Sequence, residues 1–236
     1  MLDKLENILN SIQAGKVLDI ASGAGDFIGF IKNMRNIESV IAVDELEKMG
    51  EIVKKDHPEE MVQFMRMNAN HLEFEDSSFD TVCISNSLHH LSDLNLAIRE
   101  AIRVLKKGGH LVINEMCCDG LTPSQLSHDM MHRFVAKLDQ KRGMSHQPTM
   151  SKKEINQIIQ NTGLREIDNC QYSFSISDEQ IPRVIEKNNC VLNRQMEIFK
   201  DDTDISEIRK EAEEIMEYMQ KNGFASAESL LFVLQK

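Results

Sequence analysis

The segment at residues 17–26, VLDIASGAGD, constrains the fold more than any other part of the chain. An apolar run ends in Asp19, and small residues then follow at alternate positions: Ala21, Gly23 and Gly25. Glycine permits unusual backbone dihedrals and lets a ligand approach the main chain without a Cβ in between. The pattern predicts a strand that turns sharply into a helix beside a nucleotide-like ligand.

Strand-like and helix-like segments alternate through the first half of the chain. Strands are predicted at 16–20, 39–43, 62–67, 79–85 and 110–115, and a helix at 27–35 after the glycine turn. This alternation predicts an α/β, doubly wound parallel sheet with crossover helices. A sixth strand is expected at 164–175. A final strand at 229–236 is expected to return to the sheet beside it.

The second half of the chain is richer in helices. We expect a single domain over residues 1–236, with one insertion at 117–150 and a second at 178–222. The first insertion contains a predicted helix at 124–140. The second reads as two charged helices that break near Asp201 and Asp202. The insertions are expected to form a lid that closes the substrate pocket, although the helix pair of the second can instead make a dimer contact.

Charge, cysteine spacing and the lack of long apolar runs argue against nucleic acid as a partner and against insertion in a membrane. The formal net charge is −11, from 38 acidic and 27 basic side chains, and a surface of this sign repels nucleic acid. The five cysteines form no CxxC pair, which favours reduced thiols in a cytoplasm. With no signal-like or membrane-spanning apolar run, we expect a cytoplasmic protein without membrane insertion, either a monomer or a homodimer.

Asp44 is the second acidic residue at the end of a predicted strand. A carboxylate at this place in a nucleotide-binding α/β unit accepts hydrogen bonds from both ribose hydroxyls. Together with the glycine turn, Asp44 is therefore predicted to be a ribose ligand. The turn alone remains compatible with a dinucleotide such as NAD.

Six ordered pieces of sequence narrow the choice of protein family and ligand. They are the turn at 17–25, Asp44, and the segments at 68–74, 78–82, 87–91 and 105–111. In these pieces the chain resembles the class I S-adenosylmethionine-dependent methyltransferases. It is most similar to the small-molecule subgroup (methyltransferase type 11-like) that includes quinone and sterol C-methyltransferases. The resemblance implies a Rossmann-like, mostly parallel sheet of seven strands whose last strand is antiparallel.

The resemblance also implies S-adenosylmethionine as cofactor and a role for each matching residue. Asp19 would lie near the methionyl amino group, Asp44 would hold the ribose, and the carbonyl of Ser85 would contact the methionyl ammonium. The whole implied cofactor set is Asp19, Ala21, Ser22, Gly23, Gly25, Asp44, Glu45, Leu46, Asn68, Ala69, Asn70, Ser85 and Asn86. Ala21 and Asn68 replace the glycine and aspartate usual in relatives. The alanine is expected to cost little if its dihedrals are ordinary.

The implied reaction is in-line transfer of a methyl group to a small-molecule acceptor, with S-adenosylhomocysteine as product. An NAD-type oxidoreductase and a non-catalytic S-adenosylmethionine-binding protein remain the alternatives. Residues 85–88 read Ser-Asn-Ser-Leu, without the Asn/Asp-Pro-Pro-aromatic sequence found in methyltransferases of exocyclic amines. This disfavours DNA bases and glutamine side chains as acceptors, but it leaves oxygen, nitrogen and carbon nucleophiles open.

Four histidines are the candidate catalytic residues. His89 and His90 follow the fourth strand, where either one can line the acceptor pocket, act as a general base, or only pack. His128 and His132 share a helix face at i, i+4 spacing, and His146 follows later. That spacing suits a divalent metal. Without a third ligand of certain geometry, we expect pocket-lining or solvent-facing histidines and predict no metal site.

Overall fold

The structure is a computed structural model that describes residues 2–174 and 176–236. Ser175, where the predicted sixth strand ends, lies outside this range. The elements in chain order are α1 Leu2–Leu9, β1 Gly15–Ile20, α2 Ile28–Ile31, β2 Ile37–Asp44, α3 Glu47–Asp56, β3 Val62–Arg66, β4 Phe79–Ser85, α4 Leu94–Val104, β5 Leu105–Met116, α5 Pro123–Lys141, α6 Lys152–Asn161, β6 Arg165–Tyr172, α7 Ile181–Ile198, α8 Ile205–Asn222 and β7 Ser229–Gln235.

The seven strands form one sheet in the order β3-β2-β1-β4-β5-β7-β6. β1 runs parallel to both of its neighbours, with Val17 opposite Val40 on one side and Thr81 on the other. β7 pairs antiparallel with β6. The predicted α/β fold, with the last strand antiparallel and beside strand six, is therefore confirmed. Because the strand order reverses between β1 and β4, the carboxyl ends of these two strands flank the switch point at which open α/β sheets bind ligands.

The chain divides into two compact units. The first contains residues 1–115, 153–172 and 229–236 and carries the sheet. Val17, Leu18 and Ile20 of β1 are completely buried in its core. Burying an aliphatic side chain of this size contributes roughly 1.5–3 kcal/mol, so apolar strands of this kind hold the carboxyl end of β1 in a fixed position.

The second unit contains residues 116–152 and 173–228, so both predicted insertions belong to one helical unit. α5, α7 and α8 pack through buried apolar side chains, among them Phe134, Leu192, Ile208, Ala212 and Met219. α5 begins with a capping box in which Thr122 and Gln125 satisfy each other's backbone N–H groups. None of the helices in the described residues is both long and apolar enough to cross a membrane.

The helix after the glycine turn differs from the prediction. It was expected at 27–35, but α2 covers only Ile28–Ile31. Beyond it, Asn33 N donates to Phe30 O and its side chain donates to Gly29 O, so the backbone tightens into short turns. Asn36 then adopts a left-handed φ of 55°, which ends any helical path before β2.

Candidate functional site

The glycine turn takes a left-handed backbone at alternate residues. φ is 52° at Ala21, 53° at Gly23 and 87° at Gly25. At Gly25 the dihedral favours glycine, and a Cβ would also be crowded, 3.1 Å from the His57 ring and 3.1 Å from Ile28 Cδ1. At Gly23 no atom lies within 4 Å of the place that a Cβ would take, so a ligand can approach the main chain there, at the end of β1.

Ala21 corrects one sequence-based expectation. The alanine was expected to cost little if its dihedrals were ordinary, but a φ of 52° places it in the left-handed region. For a residue that carries a Cβ, this conformation costs roughly 1–2 kcal/mol. Such strain is concentrated at ligand-binding turns, and here it falls on the first small residue after Asp19.

Asp19 is the most unusual group of the site. Its side chain lies at the carboxyl end of β1 and is only 1% exposed. Among the described residues, neither carboxylate oxygen has a hydrogen-bond partner. Burial, followed by the nearby charge of Asp44, raises the pKa of Asp19 to about 8. An unpaired buried carboxylate is costly for the fold, and a cationic donor group of a ligand would offset that cost.

Asp44 ties the glycine turn to the end of β2. Its Oδ2 accepts a hydrogen bond from Gly23 N at 3.0 Å, and its Oδ1 accepts one from Leu46 N at 2.9 Å. A carboxylate has about four acceptor positions, so this carboxylate keeps acceptor capacity for ligand hydroxyls. Leu46 is 48% exposed and presents an apolar surface next to it.

Polar residues after β3 form one hydrogen-bonded network with the end of β2. Asn68 Nδ2 donates to Glu45 Oε1, and Asn68 Oδ1 accepts from Asn70 N at 2.6 Å. Asn70 Nδ2 donates to Ser92 Oγ at 2.8 Å, while the buried Asn70 Oδ1 has no partner in the described part of the chain. Ala69 lies half-buried between the two asparagines. The network therefore fixes the segment that was predicted to face the adenine.

Ser87, which sequence reasoning missed, joins the end of β4 to the glycine turn. Its Oγ lies 2.8 Å from Ala21 O and 2.7 Å from Ser85 O. One hydroxyl hydrogen serves only one of these acceptors at a time, so the other carbonyl keeps its lone pairs. Asn86, between the two serines, has a left-handed φ of 47° and donates its backbone N–H to Asn114 O at 2.7 Å.

His89 is held by a second buried carboxylate that was also missed. Its Nδ1 lies 3.0 Å from Glu115 Oε1, and Glu115 Oε2 accepts from Leu88 N at 2.9 Å. His89 is 2% exposed and Glu115 is completely buried. A charged residue at the carboxyl end of the apolar β5 run was the available signal for Glu115. His90 is exposed, and its ring centroid lies 4.3 Å from that of His89.

The two histidines of α5 have different surroundings. His128 Nδ1 accepts from Ala227 N at 3.0 Å, its ring lies 5.3 Å from that of Phe224, and burial lowers its pKa. His132 instead contacts His146, with their Nε2 atoms 3.2 Å apart. His132 therefore pairs with His146, whereas the half-buried His128 accepts a backbone hydrogen bond.

Comparisons with known proteins find similarity to methyltransferases. Residues 18–113 match the family model described as a methyltransferase domain. The demethylmenaquinone methyltransferase of Bacteroides fragilis is 31% identical over 139 residues, which cover 57% of this chain and 55% of the relative. The ubiquinone/menaquinone biosynthesis C-methyltransferase of Bartonella quintana is 35% identical over 105 residues, covering 42% and 40%. The chain thus matches about half of these relatives' length or less.

Solved structures extend the likeness in fold to the whole chain. A structure described as a putative methyltransferase from Bacillus halodurans superposes with a TM-score of 0.66 at 18% identity, covering 100% of this chain and 98% of the other. At this identity the likeness concerns the fold alone.

Proposed function

We propose that the chain is a class I methyltransferase that transfers a methyl group from S-adenosylmethionine to a small-molecule acceptor, because residues 18–113 match the model of a methyltransferase domain. When bound, this cofactor supplies a methyl group on a sulfonium sulfur, and S-adenosylhomocysteine is the product. The residues of this chain have to bind the donor, orient it and accept the proton that the methyl acceptor loses.

The buried, unpartnered Asp19 carries the proposal. With both carboxylate oxygens unpartnered among the described residues, it suits a ligand with a positively charged donor group. The methionyl ammonium of S-adenosylmethionine is such a group, whereas NAD presents a pyrophosphate. A pyrophosphate offers no positive charge to Asp19 and is repelled by the nearby charge of Asp44, and the four-residue α2 is too short to stabilise one by its dipole.

The other residues of the turn and strand ends fit the same donor. We assign the backbone of Ala21, Ser22 and Gly23 to the methionyl and ribose portions, and Asp44 to the ribose hydroxyls. Leu46 and the Asn68–Ala69 pair are assigned to the adenine. The Asp44 bond to Gly23 N supports this assignment, because it holds the turn and the ribose-binding carboxylate together.

His89 is the proposed general base. Glu115 is an acceptor when ionised, so it favours the proton on His89 Nδ1 and leaves Nε2 as the basic nitrogen. In the proposed reaction the acceptor atom bonds to the methyl carbon, and the electrons of the broken carbon–sulfur bond stay on sulfur. The proton leaving the acceptor goes to His89 Nε2. Hydroxylated quinol rings are the first acceptors to test, because the named relatives act in quinone biosynthesis.

Calorimetry with S-adenosylmethionine, S-adenosylhomocysteine and NAD tests the donor. We expect saturable binding of the first two and none of NAD. Asp44→Asn should weaken binding at least tenfold, because hydrogen bonds to a charged group contribute about 1.5–3 kcal/mol. Asp56→Asn, at the exposed end of α3, is the matched control and should bind as the wild type does. Binding of NAD alone would overturn the proposal.

Turnover separates an enzyme from a binding protein. The enzyme is incubated with S-adenosylmethionine and a panel of quinols, catechols and small amines, and methylated products are detected by mass spectrometry. We expect a product with at least one acceptor and a large loss of rate in His89→Gln with intact cofactor binding. Tight cofactor binding without any product would instead favour the non-catalytic alternative.

A further inference from the structure

The helical unit contains a pair of histidines that the methyl-transfer proposal does not use. His132 on α5 and His146 in the loop after it have their Nε2 atoms 3.2 Å apart. The rings meet nearly edge to face, with an interplanar angle of 78°. His146 is 5% exposed, and Gln140 Nε2 donates to its carbonyl at 2.7 Å, which anchors the loop to the end of α5. The two nitrogens are therefore held in place by the fold.

Each ring is also oriented from its other nitrogen. His146 Nδ1 lies 2.8 Å from Asp139 Oδ2, and His132 Nδ1 lies 3.1 Å from Thr149 Oγ1. An ionised Asp139 only accepts, so His146 Nδ1 carries the proton and its Nε2 presents a lone pair. The Thr149 hydroxyl either donates or accepts, so it supports both neutral tautomers of His132. In one of these tautomers His132 Nε2 also presents a lone pair, 3.2 Å from His146 Nε2.

We propose that His132 and His146 bind a divalent transition-metal ion, with Zn²⁺ as the reference ion. Two nitrogens at about 2.0–2.1 Å from a tetrahedral ion are separated by roughly 3.3–3.4 Å, close to the spacing of this pair. Asp139 supplies the carboxylate–histidine–metal arrangement that fixes the ligand tautomer in protein zinc sites. The remaining coordination positions are left to water or to oxygen or nitrogen donors of a ligand.

Matched asparagine variants test the site in the intact protein. Asparagine replaces the Nδ1 atom of histidine but has no counterpart of Nε2, so it keeps the bonds to Asp139 and Thr149. Zn²⁺ is titrated into the reduced protein by calorimetry, and Co²⁺ binding is followed by visible absorption. We expect one equivalent to bind to the wild type, with at least a tenfold loss in His132→Asn and in His146→Asn. Asp139→Asn should weaken binding about 10–100-fold.

His128→Asn is the control, because it lies on the same helix and asparagine keeps an acceptor for Ala227 N. It should bind metal as the wild type does. Thermal melts of every variant confirm that the helical unit is folded before binding is compared. The proposal is overturned if the wild type shows no saturable binding, or if the folded His132→Asn and His146→Asn proteins bind with wild-type affinity.

Discussion

Two buried carboxylates, at the ends of β1 and β5, have opposite surroundings. Asp19 and Glu115 are both withdrawn from solvent at the carboxyl edge of the same sheet. Glu115 accepts from Leu88 N and contacts His89 Nδ1, whereas Asp19 has no partner among the described residues. A carboxylate that the fold satisfies serves to position another group. One that the fold leaves unsatisfied is the better indicator of a charged ligand.

The first prediction removes the satisfied carboxylate. Glu115→Ala removes the acceptor that Glu115 provides to Leu88 N–H and to the His89 ring, and each buried donor left unsatisfied costs about 1–3 kcal/mol. We expect the free energy of unfolding, measured with urea, to fall by an amount of this size. Glu115→Gln keeps one acceptor oxygen and should recover part of the loss. Equal stability of the alanine variant and the wild type would show that Glu115 does not hold this segment.

The second prediction is that removing the unsatisfied carboxylate changes the free energy of unfolding in the opposite direction. Asp19→Asn removes the cost of keeping Asp19 protonated at neutral pH, which exceeds the cost of burying the new amide, so the ligand-free protein should gain about 1–3 kcal/mol. The same variant should bind S-adenosylhomocysteine more weakly. Urea unfolding and calorimetry on one preparation measure both effects. If the variant were less stable than the wild type and bound S-adenosylhomocysteine equally well, Asp19 would not differ from Glu115 in the way proposed.

The third prediction concerns how the stability depends on pH. The folded protein keeps the Asp19 proton up to pH about 8, whereas the unfolded chain loses it near 3.8. Between these values the unfolded chain binds fewer protons, so the stability contribution of Asp19 decreases as the pH rises. Unfolding curves from pH 5 to 8 should therefore show a smaller downward slope for Asp19→Asn than for the wild type. Parallel curves would contradict the raised pKa.

The smallest expected effect is at Ala21, next to the unsatisfied carboxylate. Ala21→Gly relieves the left-handed strain of roughly 1–2 kcal/mol, but it adds backbone freedom to the unfolded chain at a cost of about 0.4–1 kcal/mol. The net gain should be about 0.5–1 kcal/mol in thermal or urea unfolding, with cofactor affinity unchanged. A loss of stability would mean that the alanine side chain makes a packing contribution larger than the strain.

The sequence predicted the sheet well because its signals are local. Strand-like runs, glycine breaks and the positions of Asp19 and Asp44 are all visible within short windows, and the break between α7 and α8 was expected near Asp201. The length of α2 was wrong, because the tight turns at Asn33 and Asn36 override the apolar helical pattern of that segment.

The site residues that were missed all depend on contacts between distant segments. The Ser87 hydroxyl, after β4, contacts Ala21 O, after β1. Glu115, on β5, contacts His89, which follows the neighbouring β4. The i, i+4 spacing suggested a His128–His132 face, but the chain reversal after α5 brings His146 to His132 instead. A periodic pattern identifies which residues share a helix face. Which residue from a later loop contacts that face depends on the tertiary structure.

The most direct test of the central claim is the proton released when S-adenosylhomocysteine binds. Its ammonium group favours the ionised form of Asp19, which is protonated below pH about 8 in the ligand-free protein. Calorimetry at pH 7 in buffers of different ionisation enthalpy measures this proton. We predict release of a substantial fraction of one proton from the wild type and a clearly smaller release from Asp19→Asn. The same proton balance in both proteins would contradict the assignment of Asp19 as the partner of the donor's positive charge.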